Sequence, residues 1–169
     1  MPKTDQTPGP NVTLEPVTPE NLGAVVRLET RPDQGRFVAN NARSLAEAYV
    51  YPDRAWPRAI CDNGQPVGFL MLDLVKPDHP EASDGRASYF LWRLMIGAEH
   101  QGQGYGRAAM ALVFEEVRRL PDGVELKTSY VPGDLGPEGF YIKLGFEPTG
   151  VVEDGEVELR LDLQAIASP

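Results

Sequence analysis

Residues 87–96 read ASYFLWRLMI, with one charged residue in the run, and no other stretch constrains the fold as tightly. So apolar a segment has no side to turn to water. It suits a strand in the middle of a sheet, covered on both faces by helices. The next segment is as restrictive. Residues 97–107 read GAEHQGQGYGR. From there to position 120, Ala109, Val113, Val117 and Leu120 recur on one stripe, with Glu115, Glu116, Arg118 and Arg119 around the rest. A buried strand thus runs through a glycine-rich turn into the longest helical pattern of the chain. Glycines at 102, 104 and 106 clear space beside the backbone. The unpaired N–H groups of the first helical turn point into that space, and the helix dipole favours an anion there. The combination predicts a pyrophosphate cradle, to which Arg107 adds a cation.

The rest of the chain supplies a sheet for this unit. Residues 12–17 read as a first strand. Thr18-Pro19-Glu20 predicts a helix start, with Leu22, Val25, Val26 and Glu29 on one face. Residues 31–35 break it, and residues 44–51 (SLAEAYVY) read as a second short helix. Residues 58–61 and 67–75 read as strands joined by an Asn63-Gly64 hairpin turn. Residues 77–85 form a polar loop. Residues 124–131 read as a strand, 136–144 as a short helix closed by Gly145, and 146–152 with 156–163 as a last hairpin. The order β, α, α, β, β, β, α, β, α, β, β is an α/β mixture, neither bundle nor sandwich. It predicts one domain over residues 12–169 behind a polar, Pro-rich, disordered tail at 1–11.

Composition removes several classes of function. Against 16 Lys+Arg stand 25 Asp+Glu, a formal charge of −9, which is the wrong sign for a phosphate-backbone binder. The lone Cys61 permits no disulfide framework within the chain and fits a reducing, cytoplasmic location. His79 and His100 have no ligand cluster around them, so no metal site is expected. No stretch has the apolar length of a membrane helix, and no apolar leader segment opens the chain.

Three cofactor motifs compete for the glycine-rich turn. A dinucleotide fingerprint requires a third glycine where Arg107 stands, and a P-loop requires Gly-Lys-Ser/Thr, which is absent. The third is Q-x-x-G-x-G, carried by Gln101, Gly104 and Gly106, which resembles the acyl-CoA loop of the GNAT superfamily of N-acetyltransferases. Residues 139–146 (GFYIKLGF) resemble the F-Y-x-K-L-G-F element of the same superfamily, in the right order along the chain. Within it, residues 34–45 (QGRFVANNARSL) resemble the Q-x-x-F-V-A-x-N-x-x-S-L segment of bacterial spermine/spermidine-type acetyltransferases.

The resemblance implies a GNAT-like α/β (α+β) fold: a single mixed, mostly antiparallel sheet, splayed at its central strands, with helices on both faces. It implies acetyl-CoA as cosubstrate and direct transfer of the acetyl group to a primary amine. Backbone groups of Leu94, Met95 and Ile96 would pair with the pantetheine arm like an added strand. Gln101, Gly102, Gln103, Gly104, Tyr105, Gly106 and Arg107 would hold the phosphates, with Lys143 and Asp134 as further cofactor contacts. Asp134 stands where many members carry Asn, and an ionised Asp only accepts hydrogen bonds. Tyr141 falls on the position of the family's general acid; a phenol with a pKa of ~10 is protonated at neutral pH and close enough to a thiolate of ~8.5 to donate.

For the acceptor, the resemblance implies a polyamine, in agreement with the acidic charge. Another amine remains open (an aminoglycoside, an amino acid derivative or a protein N-terminus), as does a non-catalytic acyl-CoA-binding module. Gln34, Phe37 and Asn41 are the expected acceptor contacts. Some related polyamine enzymes place a carboxylate on the central strand, where this chain has Leu91-Trp92-Arg93. That leaves Glu29, or Asp33, as the candidate base. The C-terminal hairpin offers an edge strand for a homodimer.

Overall fold

The computed structural model describes residues 10–166; the expected tail up to position 9 lies outside them. Seven strands form one sheet: β1 (Val12–Glu15), β2 (Ala55–Asp62), β3 (Gln65–Val75), β4 (Ser88–Ile96), β5 (Glu125–Tyr130), β6 (Glu147–Glu153) and β7 (Glu156–Asp162). Their spatial order is β1-β2-β3-β4-β5-β7-β6. The neighbours run antiparallel except β4 and β5, which are parallel. Four α-helices accompany them: α1 (Leu22–Arg27), α2 (Asn41–Val50), α3 (Tyr105–Arg118) and α4 (Glu138–Lys143).

Period-two alternation divides the core. Leu70, Leu72 and Leu74 of β3 join Ala109, Met110, Val113 and Val117 of α3 and Tyr141 of α4 on one face. Phe69 and Met71 turn the other way and pack with Val25 of α1 and Leu45 of α2. Helices therefore lie on both faces, and β4 sits at the centre, as its composition requires. The hairpin between β2 and β3 turns at Asn63 and Gly64, both at positive φ (49° and 79°).

The two N-terminal helices depart from expectation. The side chain of Asn21 accepts from the Thr18 N–H (2.8 Å) and donates to the Pro16 carbonyl (3.0 Å), which holds residues 18–21 as a turn and delays α1 to Leu22. The helix is then too short for the expected stripe: Val25 is buried, but Leu22 and Val26 are 43% and 40% exposed, and Glu29 lies beyond its end. The second helix begins three residues early because the Asn40 side chain caps it, accepting from the Arg43 N–H at 2.8 Å. The loop at 77–85 is pinned beside β2, with His79 bonded to Asp53 (2.8 Å) and Glu81 paired with Arg54.

Candidate active site

Two irregularities of β4 make the site. Its pairing with β5 is confined to Phe90↔Lys127 and Leu91↔Thr128. Past those rungs the strands diverge, so the edge of β4 from Trp92 to Ile96 has no partner in β5. On the other edge the register with β3 slips, Leu72 facing Leu91 but Met71 facing Arg93, so Trp92 is an extra residue. This bulge turns two successive side chains to the α2 face. Trp92 packs near Leu45, and Arg93 donates to Glu47 of α2 at 2.9 Å.

The divergence opens a cleft of about 1050 Å³. At its closed end stands Tyr141, only 5% exposed, its ring 5.5 Å from those of Phe140 and Phe146. Loss of water pushes its phenol up to about 12, and the neighbouring Thr128 hydroxyl opposes that shift. The Thr128 hydroxyl also donates to the Leu91 carbonyl at 3.0 Å, which bridges the last paired rung.

At the other end lies the glycine-rich turn. Gly102 and Gly104 adopt φ of 76° and 87°, where an L side chain is strained. A Cβ at Gly102 would meet nothing within 4 Å, so this backbone faces open space. Gly106 has a different reason: a Cβ there would lie 3.3 Å from the Phe140 ring, so glycine lets α3 and α4 approach. Gln101 ties the turn down, donating to the Ile96 carbonyl (3.1 Å) and to the Gln34 side chain (2.7 Å). Tyr105 donates to Asp62 (2.7 Å), which raises its phenol above the ordinary value.

The structure brings Gln34, Phe37, Leu94, Met95, Ile96, Gln101, Gly102, Gly104, Tyr105, Gly106, Arg107 and Tyr141 together on the cleft wall. The other expected residues are not among those lining it. Asn41 is 1% exposed and donates to the Val25 carbonyl at 2.8 Å, so it ties α2 to α1. Gln103 donates to the Glu99 carbonyl (3.1 Å) and closes the turn from outside. Glu29 contributes only its backbone, its carbonyl accepting from Ala98 at 2.8 Å. Asp33 pairs with Arg31 at 3.7 Å with both side chains exposed. Asp134 and Lys143 lie off the lining, although their neighbours Leu135 and Phe140 are on it.

Several wall residues carried no assigned role in the sequence. Arg36, Arg43 and Arg93 face the cleft together with Ser129, Tyr130 and Glu156. Arg93 was detectable, as the one charge in an apolar strand; its side chain is 17% exposed and its Nε is buried without a partner. Glu156 gave no signal in a polar hairpin. Cys61 is buried in the α1 face, and burial pushes its thiol up to about 11, the opposite of an activated nucleophile. Among the described residues no cluster of three or more His, Cys, Asp or Glu could hold a metal, and no helix is long and apolar enough to cross a membrane.

The fold is that of solved acetyltransferases. An aminoglycoside acetyltransferase, AAC(6')-Ib, in complex with coenzyme A superposes with a TM-score of 0.71 at 21% identity, covering 91% of this chain and 96% of that one. An acetyltransferase from Thermus thermophilus gives 0.63 at 24% identity over 89% and 96%. Arabidopsis thaliana Naa50, in complex with the bisubstrate analogue CoA-Ac-MVNAL, gives 0.62 at 20% over 89% and 98%. In sequence, the chain is 29% identical over 103 residues to the uncharacterized N-acetyltransferase YbbJ of Bacillus subtilis (strain 168), which is 61% of this chain and 64% of that relative. The family model described as "Acetyltransferase (GNAT) family" matches residues 23–146. The chain belongs to the GNAT family of acetyltransferases.

Proposed function

We propose that the chain transfers the acetyl group of acetyl-CoA to a primary amine and releases coenzyme A. The divergence of β4 from β5 carries this reading: it leaves the β4 edge from Trp92 to Ile96 without a strand partner in β5, with the Ile96 carbonyl met only by the Gln101 side chain, between a glycine cradle at one end and a buried phenol at the other. Acetyl-CoA supplies an activated acyl group on a thiol leaving group. The chain's own residues do the rest. The N–H groups opening α3, with Arg107, bind pyrophosphate. Backbone groups of Leu94, Met95 and Ile96 would hold the pantetheine amides as an added strand would, and one of those N–H groups would stabilise the developing oxyanion. Tyr141 is kept protonated by burial and gives its proton to the departing thiolate.

For the acceptor we carry forward a polyamine of the spermidine type, supported by the resemblance of residues 34–45 and by the charge of −9. A second reading rests on the wall itself. Arg36, Arg43 and Arg93 against Glu156 favour an acceptor with few positive charges, such as an amino acid derivative or a peptide N-terminus. The test is free-thiol release from acetyl-CoA with spermidine, an aminoglycoside, an amino acid amide and an N-terminal peptide. Release that depends on one of these amines and falls in Tyr141→Phe supports the reading. No release with any of them, while acetyl-CoA still raises the melting temperature, replaces it with an acyl-CoA-binding module.

A further inference from the structure

An amine acceptor must reach the thioester as a free base, yet an alkylammonium of pKa ~10.4 is almost wholly charged at pH 7. It arrives as a cation in a cleft whose wall carries Arg36, Arg43, Arg93 and Arg107. Without a compensating group, entry is unfavourable. One wall residue can supply it. Among the described residues lining the cleft, Glu156 alone has a carboxylate. Glu156 opens β7, and its carboxylate accepts a hydrogen bond from the Ser129 hydroxyl of β5. Glu156 and Arg93 both line the cleft, Glu156 from β7 beside β5 and Arg93 from β4, so they stand on opposite sides of the splay. The neighbouring acids are engaged elsewhere: Glu47 with Arg43 and Arg93, Glu138 with Tyr130, Glu158 with Lys127. His100, also on the wall, follows the far end of β4 beside the glycine turn.

We infer that Glu156, steadied by Ser129, is the ammonium-binding group of the acceptor subsite. This rests on the amine-acetyltransferase reading and names the group that recognises the amine. The role is binding, not proton removal. A carboxylate is a far weaker base than an alkylamine, so it holds the cation and leaves deprotonation to water or hydroxide. In the transfer, the ammonium gives one proton to solvent. The neutral nitrogen then attacks the carbonyl carbon, and the C–S bond breaks as Tyr141 protonates sulfur. The nitrogen loses its second proton as the amide forms, and the phenol is reprotonated. Ammonium and thioester become amide, thiol and one net proton.

The test is calorimetric titration of spermidine, and separately of an amino acid amide, into the protein saturated with coenzyme A. In Glu156→Gln the amine Kd should rise about ten- to a hundredfold, the size expected for loss of a charge-assisted hydrogen bond. Coenzyme A affinity and the melting temperature should stay as in the parent. Glu153→Gln, which removes the same charge from the facing position of the hairpin, should leave the amine Kd within twofold. Equal weakening in both variants, unchanged binding in Glu156→Gln, or no binding of either amine by the parent complex overturns the assignment. Thiol release separates this from the wider reading. Amine binding that needs Glu156, without acetyl transfer to any amine, supports the subsite and removes the enzyme. In an active enzyme, Glu156→Gln should raise KM for the amine with kcat nearly unchanged; a fall in kcat at saturating amine would make Glu156 part of the chemistry instead.

Discussion

Replacing Tyr141 by Phe deletes one oxygen at the closed end of the cleft. The ring remains, still 5.5 Å from Phe140 and Phe146. Thr128 is not orphaned, because its hydroxyl already donates to the Leu91 carbonyl at 3.0 Å. Stability at neutral pH should therefore change little, and acetyl-CoA should still raise the melting temperature. Chemistry should change much more. With the phenol near 12 and a free thiol at ~8.5, full transfer to a free thiolate is uphill by about 3.5 units, roughly 5 kcal/mol. The proton therefore moves as the C–S bond breaks, while charge is still building on sulfur, and the phenol never becomes a free tyrosinate. Loss of a general acid of this kind typically costs 10²–10⁴ in rate. Thiol release at saturating acetyl-CoA and amine should show kcat reduced by at least about a hundredfold, with KM for acetyl-CoA within roughly threefold. A kcat within threefold of the parent would remove Tyr141 from the proton path and leave it a packing residue.

Three further outcomes are expected from the same geometry. The raised phenol makes the fold sensitive to alkali: the neutral form is favoured in the native state, so this contribution is complete below pH ~10 and lost as pH rises toward 12. It amounts to about 3 kcal/mol, and urea titrations at pH 9 and pH 11.5 should show a smaller loss of stability in Tyr141→Phe than in the parent. Asn41→Ala should leave the Val25 carbonyl with the Leu28 N–H (3.3 Å) as its remaining donor and cost about 1 kcal/mol for the lost hydrogen bond, seen as a fall in melting temperature with KM for the amine unchanged. Gly104→Ala must force an L residue to φ 87° at the head of α3, a strain of about 1–2 kcal/mol. KM for acetyl-CoA should rise about tenfold as the turn shifts; an unchanged value would show that these N–H groups do not bind the cofactor.

The sequence was most informative where one physical demand dominates. Burial on both faces fixed β4 at the centre of the sheet, and positive φ at Asn63 and Gly64 fixed the β2–β3 turn. The glycine turn and the helix behind it were legible for the same reason. What failed was competition between side chain and backbone over short distances. Asn21 and Asn40 each spend a side-chain oxygen on a nearby N–H, and so move the starts of α1 and α2 by a few residues. That shift moved Asn41 from the acceptor pocket into the core. The acceptor wall was illegible for a different reason. Arg36, Arg93 and Glu156 come from a loop, the central strand and a hairpin near the C-terminus, and no spacing along the chain encodes their meeting.

Charge shows how far a whole-chain property can stand in for a local one. The formal charge of −9 invites a polycationic partner. The cleft has the opposite bias, with Arg36, Arg43, Arg93 and Arg107 on its wall. Screening reconciles the two. At physiological ionic strength the Debye length is about 8 Å, so carboxylates scattered over the far surface contribute little inside a cleft of this size. Bound coenzyme A changes the balance more than the envelope does, because its phosphates bring several negative charges to the Arg107 end. An ammonium would then enter a cleft whose arginines are partly neutralised, and find Glu156 on the far side. Amine binding should therefore be tighter in the coenzyme A complex than in the free protein, and binding of the two substrates should be coupled through the arginines between them. Titrating spermidine with and without coenzyme A measures that coupling directly. Equal affinity in the two states would show that the cleft charge does not decide what enters.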